Sequence, residues 1–305
     1  MRTGTIGIAA LGFVLSACAV QSTSSSSECT DSTSAELRKC AGAHTLHGLD
    51  VSAYQGTVNW SKVKASGRTF AFARVSDGLT HHDAQFARNW RLIKQRGLVR
   101  GAYQFFRPSE GPIAQADAML RAIHNAGGLH PGDLPPVLDL EVTDGEPHHV
   151  VVARAKEWLA HVHAKIGRKP VVYTAAFMSG VIGSSLDAYP LWVANFGATC
   201  PTMPSGWSSW HFFQNHDDGH VTGVAGAVDT DVFDGTHANL LAMTLPKPTH
   251  KAEETIDALP DHFEADDDAE ETGAMVNDGS LGATLGSQPA AVPPPDATDP
   301  PPCAP

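Results

Sequence analysis

The chain has 305 residues, with 21 Lys or Arg against 33 Asp or Glu and a net charge of −12. That length holds one large domain or two small ones with a full core. From Pro246 onward there are 13 Asp or Glu and 2 Lys, so the acidity belongs to the tail and the rest is near neutral; with no basic stripe, nucleic acid is excluded as a partner.

In chain order, Arg2 gives a basic start and Ile6 to Leu15 an apolar stretch too short to span a bilayer stably; Leu15-Ser16-Ala17-Cys18 follows. The pattern is an export signal over residues 1–17, and the tetrapeptide resembles the bacterial lipobox, in which cleavage leaves Cys18 as an acylated N-terminus. Ala19-Val20 offers no aspartate to signal inner-membrane retention. The expected location is therefore exported, lipid-anchored and in the outer membrane. Residues 18–46, rich in Ser, Thr and Ala, read as a tether reaching about 30 Å. Cys29, Cys40, Cys200 and Cys303 then remain, an even number for an oxidising compartment. Cys29 with Cys40 would make a local bridge and Cys200 with Cys303 would tie back the tail, but all three pairings stay open. Residues 246–305, acidic and then proline-rich, read as disordered.

The globular part is 47–245. Apolar runs rich in β-branched and aromatic residues predict strands at Phe70–Val75, Val99–Phe106, Val137–Leu140, Val171–Thr174 and Leu191–Asn195. His47 to Ser52 reads as a first strand ending on Asp50, and Gly226 to Asp231 repeats the theme with Asp229. Helices are predicted from Asp83 to Arg96, from Pro112 to Asn125, and along the 3.6-residue period of Val151, Ala155, Trp158, Leu159, Val162 and Ile166 up to Gly167. The β-α-β rhythm points to a mainly parallel sheet and an α/β barrel, whose strand carboxyl ends carry the chemistry.

One such end is Leu134-Pro135-Pro136-Val137-Leu138-Asp139-Leu140-Glu141. Residues i and i+2 of a strand share a face, so Asp139 and Glu141 point one way and Leu140 the other. Two like charges that close disfavour full ionisation, and one carboxyl keeps its proton near neutral pH, as a general acid must. Aromatics recur near the strand ends: Tyr54, Tyr103, Phe105, Tyr173, Trp192 and Trp210. Their faces suit either sugar rings or core packing. Sixteen histidines raise the question of a metal. His161 and His163 fall on opposite sides of a helix, His81-His82 and His148-His149 fall in predicted loops, and no HExxH or CxxC occurs. No metal or cofactor is expected. No GxSxG elbow supports serine hydrolysis either.

Taken in order, these segments resemble glycoside hydrolase family 25, the Chalaropsis-type lysozymes (N-acetylmuramidases). The resemblance runs through Asp50-Val51-Ser52-Ala53-Tyr54-Gln55-Gly56, Val58-Asn59-Trp60, Phe70–Gly78, Arg100–Phe105, Leu138–Glu141, Val172-Tyr173-Thr174, Leu191–Ala194 and Gly223–Phe233. It implies a single flattened β/α barrel of the TIM type with some antiparallel strands. It also implies metal-free cleavage of the β-1,4 bond between N-acetylmuramic acid and N-acetylglucosamine in peptidoglycan, by a monomer. Carried over, Glu141 is the general acid. Asp139, ionised, stabilises the transition state or orients the substrate acetamido group, and Asp50 and Asp229 complete the acidic rim. Tyr54, Tyr103, Gln104, Tyr173, Trp192, Arg74 and Asp77 line the sugar subsites. The chain departs from the family pattern at Arg74-Val75-Ser76-Asp77-Gly78, at Gln104 where an imidazole is usual, and at Phe213-Gln214-Asn215, which lacks an indole. Two other readings compete: a silent peptidoglycan-binding module, and a glycosidase for another N-acetylated polymer such as chitin. A silent module has no need of four acids together.

Overall fold

The computed structural model describes residues 37–246. The expected signal, Cys18, Cys29, Cys303 and the acidic tail lie outside that range.

Nine strands and six helices occur among the described residues. They run β1 (Thr45–Val51), α1 (Trp60–Ala65), β2 (Phe70–Asp77), β3 (His81–His82), α2 (Phe86–Gln95), β4 (Val99–Phe105) and α3 (Pro112–Asn125). Then come β5 (Val137–Asp139), α4 (His148–Ile166), β6 (Val171–Ala175), α5 (Ser179–Ile182), β7 (Leu191–Ala194), β8 (Phe212–Gly219), β9 (Val228–Asp234) and α6 (His237–Met243). Eight strands close a barrel in the order β1-β9-β8-β7-β6-β5-β4-β2, sealed by parallel pairing of β1 with β2. β3 hangs on β2 as a two-residue hairpin arm, where His81-His82 had been expected in a loop. Among the barrel strands β9 alone is reversed, antiparallel to both β8 and β1. A hairpin connection brings it back beside β8, whereas parallel neighbours need a long crossover.

Side chains alternate between two apolar layers, as a barrel wall requires. Phe70, Phe72, Val137, Val171, Tyr173, Trp192, Phe212 and Phe233 pack inside the barrel. Ala71, Ala73, Val75, Leu138, Leu140, Val172, Val193 and Phe213 pack outward with the helices. The interior is chiefly aromatic: Trp192 stacks on Phe72 at 4.3 Å, and Phe212 meets Phe72 and Phe233 edge-on or tilted, both at 5.1 Å. Two glycines make this layer possible. A Cβ at Gly48 would lie 2.3 Å from the Phe70 ring and one at Gly101 2.3 Å from the Phe72 ring.

The crossover from β7 to β8, residues 195–211, carries no helix. The segment before β1 docks on it instead. Lys39 N–H donates to the Pro201 carbonyl at 3.1 Å, Met203 N–H to the Leu37 carbonyl at 2.7 Å and Trp210 Nε1 to the Lys39 carbonyl at 2.7 Å. Cys40 is bonded to Cys200. The tether stretch expected over 18–46 is docked over residues 37–46, and of the three cysteine pairings left open the structure forms the one that joins Cys40 to Cys200. Neither composition nor cysteine spacing encodes backbone docking of this kind. The bridge spans 160 residues of sequence, and loop closure over such a span constrains the unfolded chain strongly. Breaking it with Cys40→Ala and Cys200→Ala is expected to cost about 2–5 kcal/mol, lowering Tm by roughly 5–15 °C. Melting with and without reductant checks this, and identical curves would refute it.

Candidate active site

The inward faces of the strands end, at one mouth of the barrel, in acids. β5 presents Asp139 inward while Leu138 and Leu140 face the helices, so the i, i+2 expectation places Asp139 and Glu141 side by side. β1 contributes Asp50. β9 contributes Asp229 and Asp231, and Asp50 and Asp229 are register partners. The sequence suggested a strand ending on Asp229, but Asp229 opens β9. Its reversed direction brings that opening to the rim where the other strands finish.

Little positive charge balances these groups. Arg74 is the cation acting on Asp139, and it also sits 5.2 Å from the Tyr54 ring centroid and 3.4 Å from Asp83. Burial pushes the Asp139 carboxyl well above its ordinary range, and the charges of Glu141 and Asp50 push it further. Burial also raises Glu141, against the pull of its hydrogen bond with Asp139. The two carboxyls are hydrogen-bonded to each other, so the ionisation of one is linked to that of the other. Asp139, expected to act ionised, is itself deeply desolvated at 4% exposure, which favours its neutral form. No amide, hydroxyl or cation donates to buried Asp139 Oδ1, and the hydrogen bond of this carboxyl is the one with Glu141.

Below this pair lies a second acidic set. Gln214 Nε2 donates to Asp50 at 2.7 Å and to Asp229 at 3.1 Å, while its Oε1 accepts from the Tyr173 hydroxyl at 2.6 Å. Burial, then the neighbouring Asp231 charge, raises Asp50 well above its usual range. Burial and the Asp50 charge lift Asp229 to about 9. Asp231 is raised in the same way, and its Oδ1 accepts from Trp192 Nε1 at 2.9 Å. Sequence reading did not single out Asp231 or Gln214. For Asp231 the signal was there: it stands two residues from Asp229 and so shares its face.

The expected sugar contacts divide. Tyr54 is 81% exposed on a single 3-10 turn after β1, and Tyr103 and Tyr173 stand beside the acids. Two others are corrected, and a third, Asp77, is held in an ion pair while staying partly exposed. Gln104 is fully buried on the outward face, donating to Ser76 Oγ at 3.0 Å and accepting from Trp158 Nε1 at 2.8 Å. Trp192 is 1% exposed, packed inside the barrel beneath the acids, and cannot stack on a sugar. Asp77 gives both carboxylate oxygens to Arg107, at 2.6 and 2.8 Å. Two aromatics that the sequence reading passed over, Phe177 after β6 and Phe196 after β7, are 64% and 48% exposed near strand carboxyl ends.

The mixed barrel carries buried carboxyls at its mouth, and residues 49–224 match the family model for Glycosyl hydrolases family 25. The chain belongs to glycosyl hydrolase family 25. As a family 25 member it is a glycoside hydrolase. Its relatives include YegX of Escherichia coli O157:H7, described as uncharacterized, 35% identical over 206 residues that cover 66% of this chain and 74% of that protein. Lysozyme M1 of Streptomyces globisporus is 35% identical over 211 residues, covering 65% of this chain and 71% of its own. The crystal structure of the lysozyme from Streptomyces coelicolor superposes with a TM-score of 0.62 at 34% identity, over 67% of this chain and 98% of that one. The family 25 match stops short of Asp229 and Asp231, which enter the site through the fold.

Proposed function

We propose that this enzyme hydrolyses the β-1,4 bond between N-acetylmuramic acid and N-acetylglucosamine in peptidoglycan, with Glu141 as general acid. The observation that carries the reading is the Asp139–Glu141 pair at the barrel mouth, two buried carboxyls hydrogen-bonded to each other and raised above their ordinary range. A substrate acetamido N–H donating to the Asp139 carboxyl would stabilise its ionised form, and the proton of the pair would then reside on Glu141. Glu141 gives it to the glycosidic oxygen as that bond breaks. The acetamido carbonyl oxygen bonds to the anomeric carbon, and water then opens the ring so formed, with the original configuration kept. Asp50 and Asp229 belong to the same mouth, and one of them would position the water. Tyr54, Phe177 and Phe196 offer exposed rings to the apolar faces of the sugars.

The cellular setting belongs to the same proposal: a monomer, exported and held by an acylated Cys18 in the outer membrane. Sequence supports this through the Leu15-Ser16-Ala17-Cys18 signal. Mass spectrometry of products from peptidoglycan and from chitin tests the reaction. The expected products are muropeptides ending in reducing N-acetylmuramic acid, with chitin untouched. Cleaved chitin would redirect the substrate assignment, and binding without any product would make the protein a silent module.

A further inference from the structure

Glu141 lies beyond the last paired residue of β5, so its placement depends on what holds the loop that follows. On its N-terminal side Leu140 is fixed: its N–H donates to the Tyr173 carbonyl at 3.0 Å and its carbonyl accepts from Thr174 Oγ1 at 2.9 Å. On the other side the holding residue is Asp144, three positions on. Its φ of 50° is left-handed, and among the described residues no other non-glycine has a positive φ. With Gly145 at φ 77° it forms an Asp-Gly turn closed by Glu146 N–H on the Thr143 carbonyl at 2.9 Å, and the Asp144 side chain anchors that turn to the neighbouring strand end. Asp144 Oδ1 accepts from Arg107 Nη1 at 3.2 Å, and its Oδ2 accepts from Ser109 Oγ at 3.2 Å and Ser109 N–H at 3.4 Å.

Arg107 is itself rigidly mounted. Its N–H donates to Gln115 Oε1 at 3.0 Å and its carbonyl accepts from Gln115 Nε2 at 2.9 Å, and Gln115 is fully buried on α3. The guanidinium carbon lies 4.6 Å from the Phe105 ring centroid. The other edge of the fork takes Asp77 bidentately. Packing is tight at the exit of β2, where a Cβ on Gly78 would come within 2.6 Å of Glu110 and 2.9 Å of Arg107. One planar cation thus joins the ends of β2 and β4 to the loop after β5.

We infer that Arg107 is a positioning residue for Glu141, acting through Asp144 to fix the loop that presents the acid to the glycosidic oxygen. The inference rests on the reading of Glu141 as the acid. Arg107 needs no contact with substrate to act this way. A loosened loop lets the carboxyl wander from the leaving oxygen, and misplacement on the scale of 1 Å costs about a hundredfold in rate. A lysine carries the charge without the planar fork and cannot grip both aspartates in the same geometry.

The test is kcat, KM and Tm for the purified full chain and for Arg107→Met, Arg107→Lys, Asp144→Asn and Glu141→Gln, on soluble peptidoglycan fragments. Arg107→Met is expected to lose about ten- to a hundredfold in kcat, with KM within threefold and Tm little changed. Arg107→Lys should recover part of the loss, and Asp144→Asn should fall in the same sense. If Arg107→Met does not fold, Asp144→Asn decides. Folded variants with kcat within twofold of the parent overturn the inference, as does a loss confined to KM, which would make Arg107 a sugar contact. Full turnover by Glu141→Gln would instead remove the acid assignment beneath it.

Discussion

Glu141→Gln is expected to lower kcat by about a hundred- to ten-thousandfold, the usual contribution of a general acid, while the protein stays folded. Glutamine nearly matches glutamate in shape, so the barrel mouth keeps its packing, but it cannot deliver a proton to the departing oxygen. The substitution also removes the charge that helps raise Asp139, so that carboxyl should ionise more readily. Affinity for glycan should hold or improve as turnover collapses. Reducing-end release measures the turnover and thermal melting the fold. A folded Glu141→Gln enzyme that still turns over at the parental rate is the result that removes this assignment.

The acid set should also make the domain less stable as pH rises. Asp50, Asp139, Glu141, Asp229 and Asp231 are all raised above their ordinary values. The folded state therefore binds protons that the unfolded chain gives up at about pH 4. Their contribution is present at low pH and is lost progressively as pH climbs through the folded values, about 9 for Asp229. His47 and His211 are lowered, chiefly by burial. Their contribution is present above the ordinary histidine range, about 6.5, and is lost as pH falls. The stability maximum should thus lie in mild acid, with Tm higher at pH 5.5 than at pH 8.5. Asp231→Asn isolates one member of the set. It keeps an oxygen for Trp192 Nε1 and puts a neutral amide where a buried carboxyl faces Asp50. A gain of about 1–3 kcal/mol is expected at pH 8.5, roughly 2–10 °C in Tm, shrinking toward pH 5.5. A gain of equal size at both pH values, or a loss at pH 8.5, would count against charge as the cause.

The sequence was most legible where one side of an element is wet or where a local signal stands at its end. α3 begins at Pro112 and stops at Asn125 as predicted, because proline suits a first turn and the paired glycines follow. α4 follows its apolar stripe. Asp139 and Glu141 were readable because polar groups at the end of a buried run expose the phase of the strand. Gln104 and Trp192 were misplaced for the opposite reason. Both faces of a barrel strand are dry, so alternation does not say which side is the interior. β8 left no apolar pattern beyond its first residues: His216, Asp217 and Asp218 are exposed, and only Phe212, Phe213 and Gln214 are buried in the wall. α2 begins at Phe86 rather than Asp83, whose carboxylate instead accepts from Ala53 N–H at 2.7 Å and Gln85 N–H at 2.9 Å. Those are tertiary choices that a window of sequence does not contain.

The reversed ninth strand ties competence to the closing of the barrel. Asp50 and Asp229 come from opposite ends of the domain and meet only where the first and final strands zip together. A chain whose barrel is otherwise assembled but still gapes at that join would show native-like helices and a half-built catalytic centre. During refolding, regained turnover should trail regained helicity, because it reports the closing of the ring.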